Sequence, residues 1–357
     1  MRTERLRYNP TVPRLLIAVV LLASGMTTWA QTPPADPHGA QLGVAAQHLQ
    51  QGNIEQAVRE CKTVLAADPR SASAHMLLGM AYIAQKSSAM IGDAKAELQQ
   101  AIDLDPELLW ARFYLARLYL DQGLNEKARE QLELGLKQSP GLPPLLSLLG
   151  EVRRKLGDPA VSLELNRKAL AADATMIPAH YFLALAYLDL KQDPAAIAEF
   201  EKVIHTPYAT PEMFNSLASL YIRKQRFAEA EDLCRKAIAM DNSQPAAYLN
   251  LARVYNAQHA SDKALEALRA ALPEGKEFPA SEYYQGLQAD IAVERGVAYR
   301  DKKMYAKAID EYTRALDFDP GRSVIHRRLA ELYLQKGDAA NAALHTKEAD
   351  KLQKGQK

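Results

Sequence analysis

Apolar and small residues return along this chain in two alternating helical phases. Around residues 109–138, Leu115, Ala116 and Tyr119 fall at i, i+1 and i+4 on one helical face. Ala128, Leu132 and Gly135 fall at i, i+4 and i+7 on another, with the helix breaker Gly123 between them. This spacing predicts two amphipathic helices joined by a short turn. The pair recurs. A small residue is followed three positions later by tyrosine at Gly79/Tyr82, Ala116/Tyr119, Ala184/Tyr187, Ala218/Tyr221, Ala252/Tyr255, Gly296/Tyr299 and Ala330/Tyr333. Ala45 with His48 and Gly150 with Arg153 keep the spacing without the tyrosine. Successive small residues stand 34, 37, 34, 34, 34, 34, 44 and 34 apart, and seven of the sixteen tyrosines share this one phase. Ala57, Ala94, Ala128, Ser162, Ala196, Ala230, Ala264, Ala308 and Ala342 supply a second small residue in each unit. Small residues on facing helices let the backbones approach, and bulky neighbours fill the remaining space.

Asp68-Pro69, Asp105-Pro106 and Asp319-Pro320 end one unit and begin the next. Proline stops the second helix, and Asp-Pro suits the N-cap and first turn of the helix that follows. The pattern of Leu, Gly/Ala and Tyr in the first helix, Ala and a bulky residue in the second, then Pro, resembles the tetratricopeptide repeat. The resemblance implies an all-α, right-handed α-solenoid of about nine helix-turn-helix units over residues 38–351. Units one to seven occupy 38–272, an insertion 273–288, and units eight and nine 289–351, before a tail at 352–357. The first half of the insertion reads as a loop through Pro273, Gly275 and Pro279. Ser281 can then cap a helix running through Tyr283, Leu287 and Ile291, about two turns longer than its fellows. Three extra residues fall in the second unit, around Lys86 to Ile91. Other departures are Ser162, Arg153 and Arg295, the last standing where Leu is usual.

The first thirty residues follow a different pattern. Arg2, Arg5, Arg7 and Arg14 precede the apolar run Leu15 to Ala23, and Thr28-Trp29-Ala30 offers a small-residue cleavage site. This order predicts a secretory signal peptide over 1–30, a Pro-rich leader over 31–37, and export of the repeats, most simply to a periplasm. The alternative is an uncleaved inner-membrane anchor with the repeats outside the cytoplasm. The net charge of +1 becomes −2 once four Arg and one Glu leave with residues 1–30. No basic excess remains to favour nucleic acid. The two cysteines, Cys61 and Cys234, lie five repeats apart, beyond disulfide reach, and are expected to be free and buried.

Candidate chemistry is sparse. No HExxH, GxSxG, P-loop or Cys-x-x-Cys motif occurs, so no enzyme, cofactor or metal is expected. His75, His180 and His326 share the fourth position of a first helix and are expected in the inter-helix contact. His345 and Glu348 share one helix face, a spacing that suits a solvated pair better than a metal site lacking a third ligand.

What the resemblance implies for function is a binding groove. In such repeats the first helices line the concave side, and unit positions two, five, nine and twelve face it. Those positions here include Met76, Met80, Ile83, Trp110, Phe113, Leu120, Tyr181, Leu185 and Leu188, with Arg117, Arg154, Asn215, Arg253, Arg300 and Arg327 further on. A partly exposed apolar stripe would be an interaction surface. The partner-binding set is therefore Met76, Met80, Ile83, Trp110, Phe113, Arg117, Tyr181, Leu185 and Arg253. The carboxylate-clamp residues of chaperone-binding members are not reproduced, and the repeated Asn of sugar-transferase members is matched only by Asn250. The expectation is an extracytoplasmic scaffold binding a protein or peptide in envelope assembly or secretion. A carbohydrate-binding role in polysaccharide export is the alternative.

Overall fold

The computed structural model describes residues 38–85, 87–273 and 282–354, and every regular element among them is helical. The expected signal segment, leader, tail beyond 354, most of the 273–280 loop and its cap Ser281 lie outside the described residues. Two compact units divide at Tyr208/Ala209. The first holds α1 (Gly39–Gln50), α2 (Ile54–Ala67), α3 (Ala72–Ala84), α4 (Ile91–Leu104), α5 (Leu109–Asp121), α6 (Asn125–Gln138), α7 (Pro143–Lys155), α8 (Pro159–Ala172), α9 (Ile177–Asp189) and α10 (Asp193–Ile204). The second holds α11 (Pro211–Arg223), α12 (Phe227–Met240), α13 (Pro245–Ala257), α14 (Ser261–Ala271), α15 (Glu282–Asp301), α16 (Tyr305–Phe318), α17 (Ser323–Gln335) and α18 (Ala339–Lys354). Consecutive helices pair into the nine expected units, and the three extra residues of the second unit end in a short 3-10 turn over Ser88–Met90.

One contact recurs between the helices of a pair, from unit position eight of the first to position 24 of the second. Where position eight is glycine, position 24 fills the space. A Cβ on Gly79 would stand 2.8 Å from Leu98 Cγ, one on Gly150 2.4 Å from Asn166 Nδ2, and one on Gly296 2.4 Å from Tyr312 Cε1. Cys61 and Cys234 occupy the same position 24 in their units, buried and free. Burial pushes both thiols up to about 12.

The turn inside each pair also repeats. Position 15 is left-handed in eight units: Gly52, Gly123, Gly157 and Gly337 at φ +73° to +95°, then Lys191, Gln225, His259 and Lys303 at 57° to 59°. The chain must reverse there within three residues, which forces the left-handed conformation even on residues with a Cβ.

The turns between pairs differ from expectation. Asp68 and Asp105 are the C-caps of their own second helices rather than N-caps of the next. Their carboxylates accept from the backbone N–H two residues on, Arg70 at 3.0 Å and Glu107 at 3.0 Å. Asp173 and Asp241 do the same without a following proline. The physical reason is that Asp begins a tight turn, and the next helix starts only after three further residues. Ser71, Thr210 and Asp338 cap first or second helices with their side chains, accepting from Ala74 N, Met213 N and Asn341 N.

The irregular positions have local partners. At 20 residues, α15 is seven longer than α13, the two extra turns expected. Arg295 donates to the carbonyls of Leu268 and Leu272, satisfying the end of α14. Arg153 donates to Glu133 at 2.7 Å. Buried Asn166 donates to the Ser162 carbonyl at 2.9 Å and accepts from Ser147 Oγ at 3.0 Å, so the polar centre of the fourth unit is satisfied.

Candidate functional site

In both units, neighbouring first helices touch one another: α1 with α3, α3 with α5, α5 with α7 and α7 with α9, then α11 with α13 and α13 with α15. Within each unit, a second helix packs chiefly between its own first helix and the next first helix of that unit. The first helices therefore line the inner side of each unit. They are also the more enclosed. In α5, nine of thirteen residues are buried, whereas α6 buries three of fourteen.

This enclosure changes the expected apolar stripe. Met76, Met80, Phe113 and Tyr181 are buried rather than partly exposed. Phe113 meets Trp110 edge-on at 5.6 Å and Tyr114 edge-on at 5.3 Å. Tyr181 packs on Phe182 at 5.7 Å and Phe200 at 6.0 Å. Of the apolar candidates, Ile83, Trp110 and Leu185 keep accessible surface. Trp110 is the largest of these, a half-buried ring backed by Phe113 and, at 6.5 Å, Tyr114.

The helix between Trp110 and Leu185 is polar. On α7, positions five, nine and twelve are Ser147, Glu151 and Arg154. Arg154 donates to both Glu151 oxygens, at 2.7 and 2.8 Å, and to Asp189 of α9 at 2.9 Å. Lys155 Nζ stands 3.8 Å from Glu151. Burial opposes charge on Glu151, but Arg154, Lys155 and Arg117 together hold its carboxyl below the usual range. Burial pushes Lys155 down to about 8 despite Glu151 beside it. Arg117, expected as an exposed edge charge, is buried and donates to Asp121 at 3.1 Å. Three cations thus face three carboxylates, and this stretch of the inner surface is electrically balanced.

Arg253 belongs to the second unit and is the centre of a polar ladder. It donates to Asn250 at 3.2 Å and to Asp290 of α15 at 3.1 Å, and its Nε lies 3.4 Å from Glu294. Asn250 donates to Asn215 of α11 at 2.7 Å, and Asn256 donates to Glu294 at 2.8 Å. Arg322 joins Asp290 to Asp319. Arg253 is therefore a strut between first helices. Nearby, Glu212 is buried. One oxygen accepts from Gln244 at 2.9 Å and the other has no hydrogen bond. Burial pushes its carboxyl up.

Sequence reasoning missed Glu151, Asp189, Asp290 and Glu294. The available signal was their place at or beside groove positions, opposite arginines about one repeat away. Among the described residues no group of three or more His, Cys, Asp or Glu could hold a metal ion. No described helix is long and apolar enough to cross a membrane.

Sequence models of the tetratricopeptide repeat match residues 47–89 and 147–213, 90–152 and 221–291, and 289–322. This chain is a tetratricopeptide repeat protein. Among curated relatives, it is 25% identical over 262 residues to cellulose synthase operon protein C of Pseudomonas fluorescens (strain SBW25). The match covers 70% of this chain and 20% of that protein, so the chain spans one fifth of the relative's length. Among solved structures, the APC/C hetero-tetramer Cut9-Hcn1 superposes with a TM-score of 0.63 at 16% identity, covering 94% of this chain and 63% of that one. PilW, a widely conserved type IV pilus biogenesis factor, gives 0.51 at 22% identity, covering 60% of this chain and 96% of that one. At these identities the structural likeness establishes the repeat fold alone.

Proposed function

We propose that this tetratricopeptide repeat protein is a non-catalytic scaffold, exported from the cytoplasm, that binds a protein or peptide segment along its first helices in envelope assembly or secretion. The observation that carries the reading is Trp110. It is a large aromatic side chain left partly open on the inner surface, held from behind by Phe113 and Tyr114. A partner side chain covering such a fixed ring gains about 1.5–3 kcal/mol before ordering costs. Ile83 on α3 and Leu185 on α9 extend the apolar positions to either side. The balanced ion cluster on α7 disfavours a strongly charged segment at that point, because it offers no net charge to attract one.

Similar proteins support an envelope setting: a cellulose synthase operon protein and a type IV pilus biogenesis factor. The first also favours a second reading, carbohydrate binding in polysaccharide export. Export is tested by the N-terminus of the protein recovered from cells, expected at Gln31. Partner class is tested with chains carrying Trp110→Ala, Leu185→Ala, or the outer-face control Leu344→Ala. If the reading holds, the first two lose capture of one envelope protein while helicity and the control stay unchanged. Retarded migration of the wild type through a cellulose-containing gel, abolished by Trp110→Ala, would favour the carbohydrate reading instead. Unchanged capture in all three variants would reject the inner surface as the site.

A further inference from the structure

In the first, second, third and fifth units, position four of the first helix carries a polar clasp to the second helix. In the second unit, His75 Nδ1 lies 2.6 Å from Glu97, and its Nε2 lies 3.1 Å from the Pro69 carbonyl. In the fifth, His180 Nδ1 lies 2.6 Å from Glu199, and its Nε2 lies 3.0 Å from the Ala174 carbonyl. Arg112 with Gln131 and Gln41 with Glu60 fill the same place in the third and first units. The ninth unit breaks the rule. His326 of α17 meets His345 of α18, with their Nδ1 atoms 2.9 Å apart.

An imidazole here stands where the sister units have an oxygen acceptor. No carboxylate closes the clasp. In the metal-free pair the 2.9 Å separation is an N–H···N hydrogen bond. Two imidazole–metal bonds of about 2.05 Å meeting at a right angle span the same distance of about 2.9 Å, whereas a tetrahedral angle requires about 3.3 Å. Tyr333 lies parallel to His345, 7° between planes and 5.5 Å between centroids, and fixes that ring. Glu348, one turn along α18, places a negative charge near His345.

We propose that His326 and His345 form a two-imidazole chelate for a divalent cation of tetragonal preference, Cu²⁺ or Ni²⁺, with water in the remaining positions. The cation would join α17 to α18 and fasten the last helix of the array. The pair is the ninth unit's version of the polar clasp, altered by a single change of acceptor.

The test uses the full mature chain stripped of metal, titrated with Cu²⁺ and with Ni²⁺. His345→Gln restores the type of acceptor found in the third unit, and His345→Glu restores the histidine–carboxylate clasp of the second and fifth. Both should fold as the wild type does, by circular dichroism and by the cooperativity of melting. The wild type should bind one Cu²⁺ per chain, show two imidazole nitrogens in its electron paramagnetic resonance spectrum, and melt higher with metal. His345→Gln should lose one of those nitrogens and at least about tenfold in affinity, a loss that even outer partners of a metal ligand can cause. Its melting temperature should not respond to metal. Wild-type affinity in His345→Gln, or a spectrum unchanged by that substitution, would place the metal elsewhere and overturn the proposal. So would a wild type that binds neither ion.

Discussion

Replacing Gln225 with glycine should make this protein more stable, although it removes a side chain. Gln225 sits in the turn between α11 and α12 at φ 59°, a conformation that sister turns give to glycine. The left-handed region costs a residue with a Cβ about 1–2 kcal/mol. Glycine avoids that cost but loses about 0.5–1 kcal/mol more chain entropy on folding. The difference leaves a net gain of about 0.5–1 kcal/mol. Gln225 is an uncharged, exposed side chain, whereas Lys191 and Lys303 carry charge and His259 lies 3.1 Å from Asp301. The reverse change gives a matched control. Gly123→Ala, at φ +73°, should lose about 1 kcal/mol. Urea unfolding followed by circular dichroism reads both, as a higher midpoint for Gln225→Gly and a lower one for Gly123→Ala. An unchanged or lower midpoint for Gln225→Gly would show that the turn is not strained. A neutral Gly123→Ala would show that position 15 does not require the left-handed conformation.

Three further outcomes follow from the packing and from the titrating groups. With both thiols pushed up to about 12 by burial, Cys61 and Cys234 should not react with a disulfide reagent at pH 8 until the protein is unfolded, as thiol titration with and without denaturant would show. Ala128, Ala196 and Ala230 have no exposed surface, so enlarging any one to leucine should cost about 1–3 kcal/mol in thermal or urea unfolding. His345 is held below its ordinary value of 6.5, so the unfolded chain takes up that proton first as pH falls. Its contribution to stability is complete above 6.5 and is lost on acidification. In metal-free buffer the melting temperature should therefore drop between pH 7 and 5, and drop less in His345→Gln.

The architecture was legible because one contact repeats. The small residue at position eight, the tyrosine three later and the second small residue recur at nearly constant spacing, and the packing of Gly79 on Leu98 or Gly296 on Tyr312 follows directly. The accessibility of the inner surface was not legible. Position on a helical wheel identifies which face of α5 is inward. It does not show that α5 is covered on several sides at once, which is what buries Phe113 and Arg117. The partners of Arg154 and Arg253 lie on the next first helix, 35 and 37 residues along. In a one-dimensional reading both looked like free basic groups. Asp68 and Asp105 were misassigned for a local reason, since Asp before Pro suits a turn as well as an N-cap. The His326–His345 contact had a visible precursor, the shared position of His75, His180 and His326. Only the geometry reveals that the acceptor changes in the last unit.

The central claim is that the first-helix face, and no other, receives the partner. The most direct measurement is site-specific photo-crosslinking in living cells, with a benzophenone amino acid placed singly at Ile83, Trp110 or Leu185, and on second helices at Val161 or Met240, which are exposed. The account predicts that the three inner positions crosslink to one common protein, that excess unlabelled chain competes the product away, and that Val161 and Met240 give none. Crosslinks to a shared partner from Val161 or Met240, with none from the inner positions, would contradict it.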